Sequence, residues 1–116
     1  MKFDLGVINS NAHNLLARAQ TDLSAAIEAY GLATDEYAEA ETRLRVARAD
    51  TIKTLRDQGM AATLILDLAK GATASFKEEA IKAEGRIKKA SHMIRAIEHR
   101  INSVKFIGRR TDEAAQ

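Results

Sequence analysis

The stretch FKEEAIKAEGRIKKASHMIRAIEHRINSV, residues 76–104, carries its apolar residues on one strict seven-residue beat. Phe76, Ala80, Ala83, Ile87, Ala90, Ile94, Ile97, Ile101 and Val104 are separated alternately by four and three residues. That spacing draws a narrow apolar line along one side of an α-helix and requires a partner helix beside it, as in a coiled coil. Ile87, Ile94 and Ile101 hold one seam position, while Ala83, Ala90, Ile97 and Val104 hold the other.

The partner lies upstream. Leu16, Leu23, Tyr30, Tyr37 and Leu44 recur every seven residues, and Ala12, Ala19, Ala26, Ala33, Ala40 and Ala47 recur on the same beat at the second seam position. A row of methyl groups lets a neighbouring helix approach more closely than a row of leucines would. The beat slips by one residue before resuming at Ile52 and Leu55, which predicts a relaxed supercoil near the end of this helix. Gly31 is a mild weak point inside it.

The segment between the two patterns reads as a reversal. Gly59 can take the left-handed conformation that closes a helix. Thr63 is the expected N-cap of a short helix that Gly71 ends, and the density of Leu64, Ile65, Leu66 and Leu68 suggests a plug over the end of the helical pair. Ser75 with Glu78 makes a capping box for the last helix. The expected organisation is a single helical-hairpin domain over 1–116: a lead-in over 1–9 with Ser10 or Asn11 as cap, a long helix over about 11–58, a short one over 63–70, a long one over 75–108 and a frayed tail over 109–116.

Composition supports an all-α fold. The chain has no Pro, Trp or Cys, an aromatic share of only 4%, and abundant Ala, Glu, Lys and Arg, the profile of long helices. The absence of cysteine removes disulfide and thiol chemistry and fits a reducing compartment. Asp4 and Gly6 interrupt the first residues too early for a signal peptide, and no apolar run approaches the roughly 20 residues of a membrane span. A soluble, cytoplasmic protein without membrane contact is expected.

At about 1.5 Å per residue the first helix should be on the order of 70 Å long and the last on the order of 50 Å. Folded back through the tip, the last helix then covers only the second half of the first. Leu15, Leu16, Ala19 and Leu23 would be left without an intramolecular partner, a candidate dimer or partner surface. A homodimer with an antiparallel or crossed four-helix arrangement follows as the expectation.

Charge agrees with antiparallel pairing. Lys2 to Glu41 holds two basic and seven acidic residues, while Lys82 to Arg110 holds nine basic and two acidic. Lys82, Lys88, Lys89 and Arg95 stand away from the seam and are followed by Arg109 and Arg110, a candidate polyanion-binding face that makes DNA a candidate partner. No aromatic residues are interleaved among Lys82, Lys88, Lys89 and Arg95 for stacking, and no DNA-reading motif is present. A solvated face is the plainer reading of such a ladder.

Chemical sites find little support. His92 and His99 are seven residues apart, about 10 Å along a helix and too far to share one metal without other ligands, and His13 stands alone. Glu78 and Glu79 suit a helix first turn, and Asp35, Glu36, Glu39 and Glu41 a solvated face. Ser91 and Ser103 have no triad context, and no phosphate loop exists. Tyr30 and Tyr37 read as seam residues. Neither a catalytic residue, a metal site nor a cofactor is expected.

The segment from Leu55 to Gly71, LRDQGMAATLILDLAKG, resembles the middle of small helical-hairpin proteins of phage and prophage early regions. That group shows a helix end, a Gly plus apolar residue, Thr-Leu-Ile, and Leu-Ala-Lys-Gly before the second long helix. Gly59, Met60, Thr63, Leu64, Ile65, Leu68, Ala69, Lys70 and Gly71 match. The resemblance covers about residues 40–107 and departs after Gly71, where the chain reads Ala72-Thr73-Ala74-Ser75 in place of a more acidic segment. Members tend to be encoded beside single-strand annealing recombinases and single-strand-binding proteins. The resemblance therefore implies a supporting role in phage DNA replication or recombination, in the host cytoplasm, exercised on a protein partner or on DNA. Two other readings are an inhibitor of a host nuclease, repair or defence complex, in which a rigid hairpin enters a groove, and an architectural coiled coil of a virion or secretion assembly. The WxG secretion hairpins are set aside because the turn has no Trp.

Overall fold

In the computed structural model the backbone is described for residues 5–115 and the side chains for residues 10–110. Three helices follow in order: α1 (Leu5–Asp57), α2 (Ala62–Ala72) and α3 (Ala74–Ala115). α1 is already helical at Leu5, so Ser10 and Asn11 lie inside it rather than capping it, and α3 continues through most of the expected tail. No Pro interrupts either heptad pattern, so neither long helix meets a residue that must break it.

The reversal is built as expected around Gly59. Its φ of +75° is the left-handed conformation, and two hydrogen bonds close the end of α1 around it. Gly59 N–H donates to the Arg56 carbonyl and Met60 N–H to the Leu55 carbonyl, each at 3.0 Å, the paired pattern of a Schellman motif. These bonds satisfy two carbonyls that α1 would otherwise leave bare.

After the reversal the structure departs from expectation. Ala61 is the N-cap of α2, with extended dihedrals and no side-chain bond, and Thr63 lies inside the helix. Gly71 is helical too, and Ser75 falls in the first turn of α3, so the expected capping box does not open that helix. One residue, Thr73, separates α2 from α3. Its φ of −106° and ψ of 14° leave the helical range, yet its N–H and hydroxyl both donate to the Ala69 carbonyl, at 3.0 and 2.7 Å, and its carbonyl accepts from Lys77 N–H. Bonding thus continues through the bend, and the hydroxyl reaches the i−4 carbonyl in the manner that bends helices.

The contacts divide the chain into two compact units, one formed by 1–29 with 89–116 and the other by 30–88. In the second unit α1 and α3 run antiparallel, with Glu36 paired to Arg86 at 2.9 Å. At equal rise per residue, this register sets Thr73 beside residue 49 and Ile65 beside Asp57. The buried residues of α2 and the bend, Ile65, Ala69 and Thr73, are spaced in phase with Phe76 and Ala80 of α3. α2 therefore forms the first turns of the returning limb, not a plug beyond its end. The central seam here is nearly all alanine, with Ala40, Ala80 and Ala83 buried together and Tyr37 packed against them.

In the first unit the pairing is antiparallel as well, with Arg100 bonded to Asp22 at 2.6 Å. Small faces large: Ala19 and Ala26 of α1 are buried with Ile97 and Ile101 of α3, and Leu16, Leu23 and Ile94 pack around them. Both cross-helix ion pairs leave their side chains about half exposed, so each is worth at most about 1 kcal/mol. They select direction and register while burial supplies the stability.

Glycine substitution tests this description at two positions. Gly31 has helical dihedrals and open space where a Cβ would stand, whereas Gly59 requires positive φ. Gly31→Ala should raise stability by about 0.5–1 kcal/mol and Gly59→Ala should lower it by about 1–2 kcal/mol, both read from urea unfolding of the purified chain.

Candidate functional site

The residues expected to form a dimer surface are divided by the structure. Ala19 is fully buried within the first unit, and Leu16 and Leu23 pack against its core. Leu15 alone faces solvent, at 51% exposure. The expectation that these residues lack an intramolecular partner is therefore corrected for Leu16, Ala19 and Leu23. Within this unit Arg100 bonds Asp22 and α3 runs on beyond it, so the returning helix does cover this part of α1.

The structure also divides the candidate polyanion face. Lys82 is 3.3 Å from Glu78 and Lys88 is 3.6 Å from Glu84, each partner one turn earlier on the same helix. Lys89, Arg95 and Arg109 are exposed and form no ion pair among the described residues. Arg110 lies over the Phe106 ring at 5.4 Å, a cation–π contact.

Hydroxyl groups are largely turned inward onto their own helices. Those of Thr21, Thr42, Thr51 and Thr54 each donate to the carbonyl four residues earlier, Thr34 to that of Gly31, and Ser103 to that of His99. His13, His92 and His99 are exposed. No cluster of three metal-ligating side chains occurs among the described residues, and no helix among them is long and apolar enough to cross a membrane.

The Tyr37 phenol is moved clearly from its ordinary value. Its hydroxyl hydrogen-bonds the Glu41 carboxylate, whose negative charge further opposes ionisation, and both raise the pKa. Glu41 is itself half-buried, 3.7 Å from Arg45.

The feature that sequence reasoning missed lies on α2. Its buried face consists of Ile65 and Ala69, while Leu64, Leu66 and Leu68 are 51%, 63% and 44% exposed. Leu64 and Leu68 share one flank, four residues apart, and Leu66 stands on the other. Only Thr63, Asp67 and Lys70 give this helix a polar side. A helix apolar nearly all round is ordinarily enclosed, and this one is covered on a single side. The signal was present: Ala69 and Thr73 stand one heptad before Phe76 and Ala80, which marks the α2 face belonging to the seam and leaves the leucines off it.

Compared with protein-family models, curated proteins and solved structures, the chain matches none of them.

The Tyr37 shift predicts a pH effect. A folded-state pKa above the unfolded value means that this contribution to stability is complete below about pH 10 and is lost as the pH rises through the folded pKa. In a Tyr30→Phe variant, ultraviolet titration of the remaining phenol should give a midpoint above 10 that Glu41→Gln brings down, and a midpoint at or below 10 in the parent contradicts the assignment.

Proposed function

We propose that this chain is a non-catalytic helical interaction protein that docks a protein partner through α2, in support of phage DNA replication or recombination. The observation that carries the docking surface is the exposure of Leu64, Leu66 and Leu68 on a helix that buries only Ile65 and Ala69. Exposed apolar side chains gathered on one short element are the usual mark of a binding surface, and a helix presenting leucines suits a partner with an apolar groove. The phage setting rests on the resemblance of the Leu55 to Gly71 segment. Ile65, Ala69 and Gly59 of that segment serve the fold directly, whereas Leu64 and Leu68 are left on the surface. Inhibition of a host nuclease, repair or defence complex would use the same docking surface on a different partner.

The test is a triple variant, Leu64→Glu, Leu66→Glu and Leu68→Glu. Because these side chains are exposed, its helicity and unfolding midpoint should stay close to wild type. Partner capture from phage-infected host cells should fall by about tenfold or more. Undiminished capture by a folded triple variant would remove α2 as the docking surface.

A second reading, binding of a polyanion, is favoured by one observation. Between Lys89 and Arg110, α3 carries six basic residues and one acidic residue, Glu98, and among the six only Arg100 is in an ion pair among the described residues. Fluorescence anisotropy with single- and double-stranded DNA should then show affinity that falls steeply with salt and that Lys89→Glu with Arg95→Glu abolishes. Absence of binding at low salt would exclude this reading.

A further inference from the structure

In the first unit the α3 seam runs Ile94, Ile101 and then Gly108, so the position that holds isoleucine in two successive heptads holds no side chain in the next. A Cβ at Gly108 would meet nothing within 4 Å. A cleft of about 270 Å³ opens there between α1 and α3, walled by Leu16, Val104 and Gly108 and rimmed by His13, Lys105 and Arg109. Lys105 and Arg109 are one turn apart on the same helix, which brings their charges to one edge of the cleft. Neither forms an ion pair, and no acidic side chain lines the cleft, among the described residues.

An apolar wall joined to a basic rim complements a molecule that has both characters. We propose that this cleft binds a small amphiphilic carboxylate, with its head group between Lys105 and Arg109 and its alkyl body in the space left by the missing seam side chain. Each half of such a ligand is weak alone. An exposed charge contact contributes little, and a short alkyl chain has few methylenes to bury. Joined on one molecule they act together, which distinguishes this site from general attraction of anions to a basic helix.

The test is titration of the ¹⁵N-labelled full chain with octanoate, followed by amide shifts. Saturable changes should concentrate at Leu16, Val104 and Gly108, and inorganic phosphate or octanol at equal concentration should not reproduce them. Gly108→Leu places a side chain in the cleft and should weaken octanoate binding by about tenfold while helicity is kept. Lys105→Glu with Arg109→Glu, both at exposed positions, should weaken it similarly and guards against a packing failure in the first variant. The proposal is overturned if octanoate leaves these amides unmoved, if phosphate alone moves them equally, if shifts spread evenly over residues 30–88, or if both folded variants bind as wild type.

Discussion

The close approach of helices that alanine permits is the constraint on which the packing within each unit depends. Ala19, Ala26, Ala33 and Ala40 of α1 are each at most 5% exposed, and Ala80 and Ala83 of α3 at most 2%. A methyl group fills little space, so its burial contributes modestly by itself. Its larger effect is to bring helices near enough for their surfaces to pack at interior density. In the second unit alanine meets alanine with Tyr37 beside it; in the first, alanine meets isoleucine. At these buried alanines an added methylene would have to displace a neighbour.

This choice of small core residues frees larger ones for the surface. Leu64, Leu66 and Leu68 point outward while Ala69 and Thr73 are buried, an inversion of the usual ranking of residues by burial. Position decides it, because a helix side chain belongs to the core only if it lies on the line facing the partner helix. The same logic shapes the Gly108 cleft, where the line continues but its side chain does not.

Much of the architecture was legible before any coordinates. Two heptad patterns, a glycine between them and opposite charge on the two limbs implied an antiparallel helical hairpin, and Gly59 performs the closing role its position suggested. Capping was less legible. Thr63, Gly71 and Ser75 are residue types that favour helix ends, yet each lies within a helix because tertiary packing continues the chain past them. The surface of unsatisfied apolar groups was misplaced for a related reason: Ala19 is buried with Leu16 and Leu23 packed against its cluster, and the α2 leucines are exposed.

The sequence by itself determined that the chain is helical, where it reverses and which stripe of each long helix is apolar, since these are properties of spacing and of backbone preference at single residues. Only the tertiary structure decided the register, with Asp22 beside Arg100 and Glu36 beside Arg86. Register depends on where the returning limb begins, and that was set by burial of Ile65, Ala69 and Thr73 against the partner limb. A seven-residue repeat is satisfied equally well by a shift of one heptad, so periodicity alone does not choose between pairings. The buried contacts between limbs do.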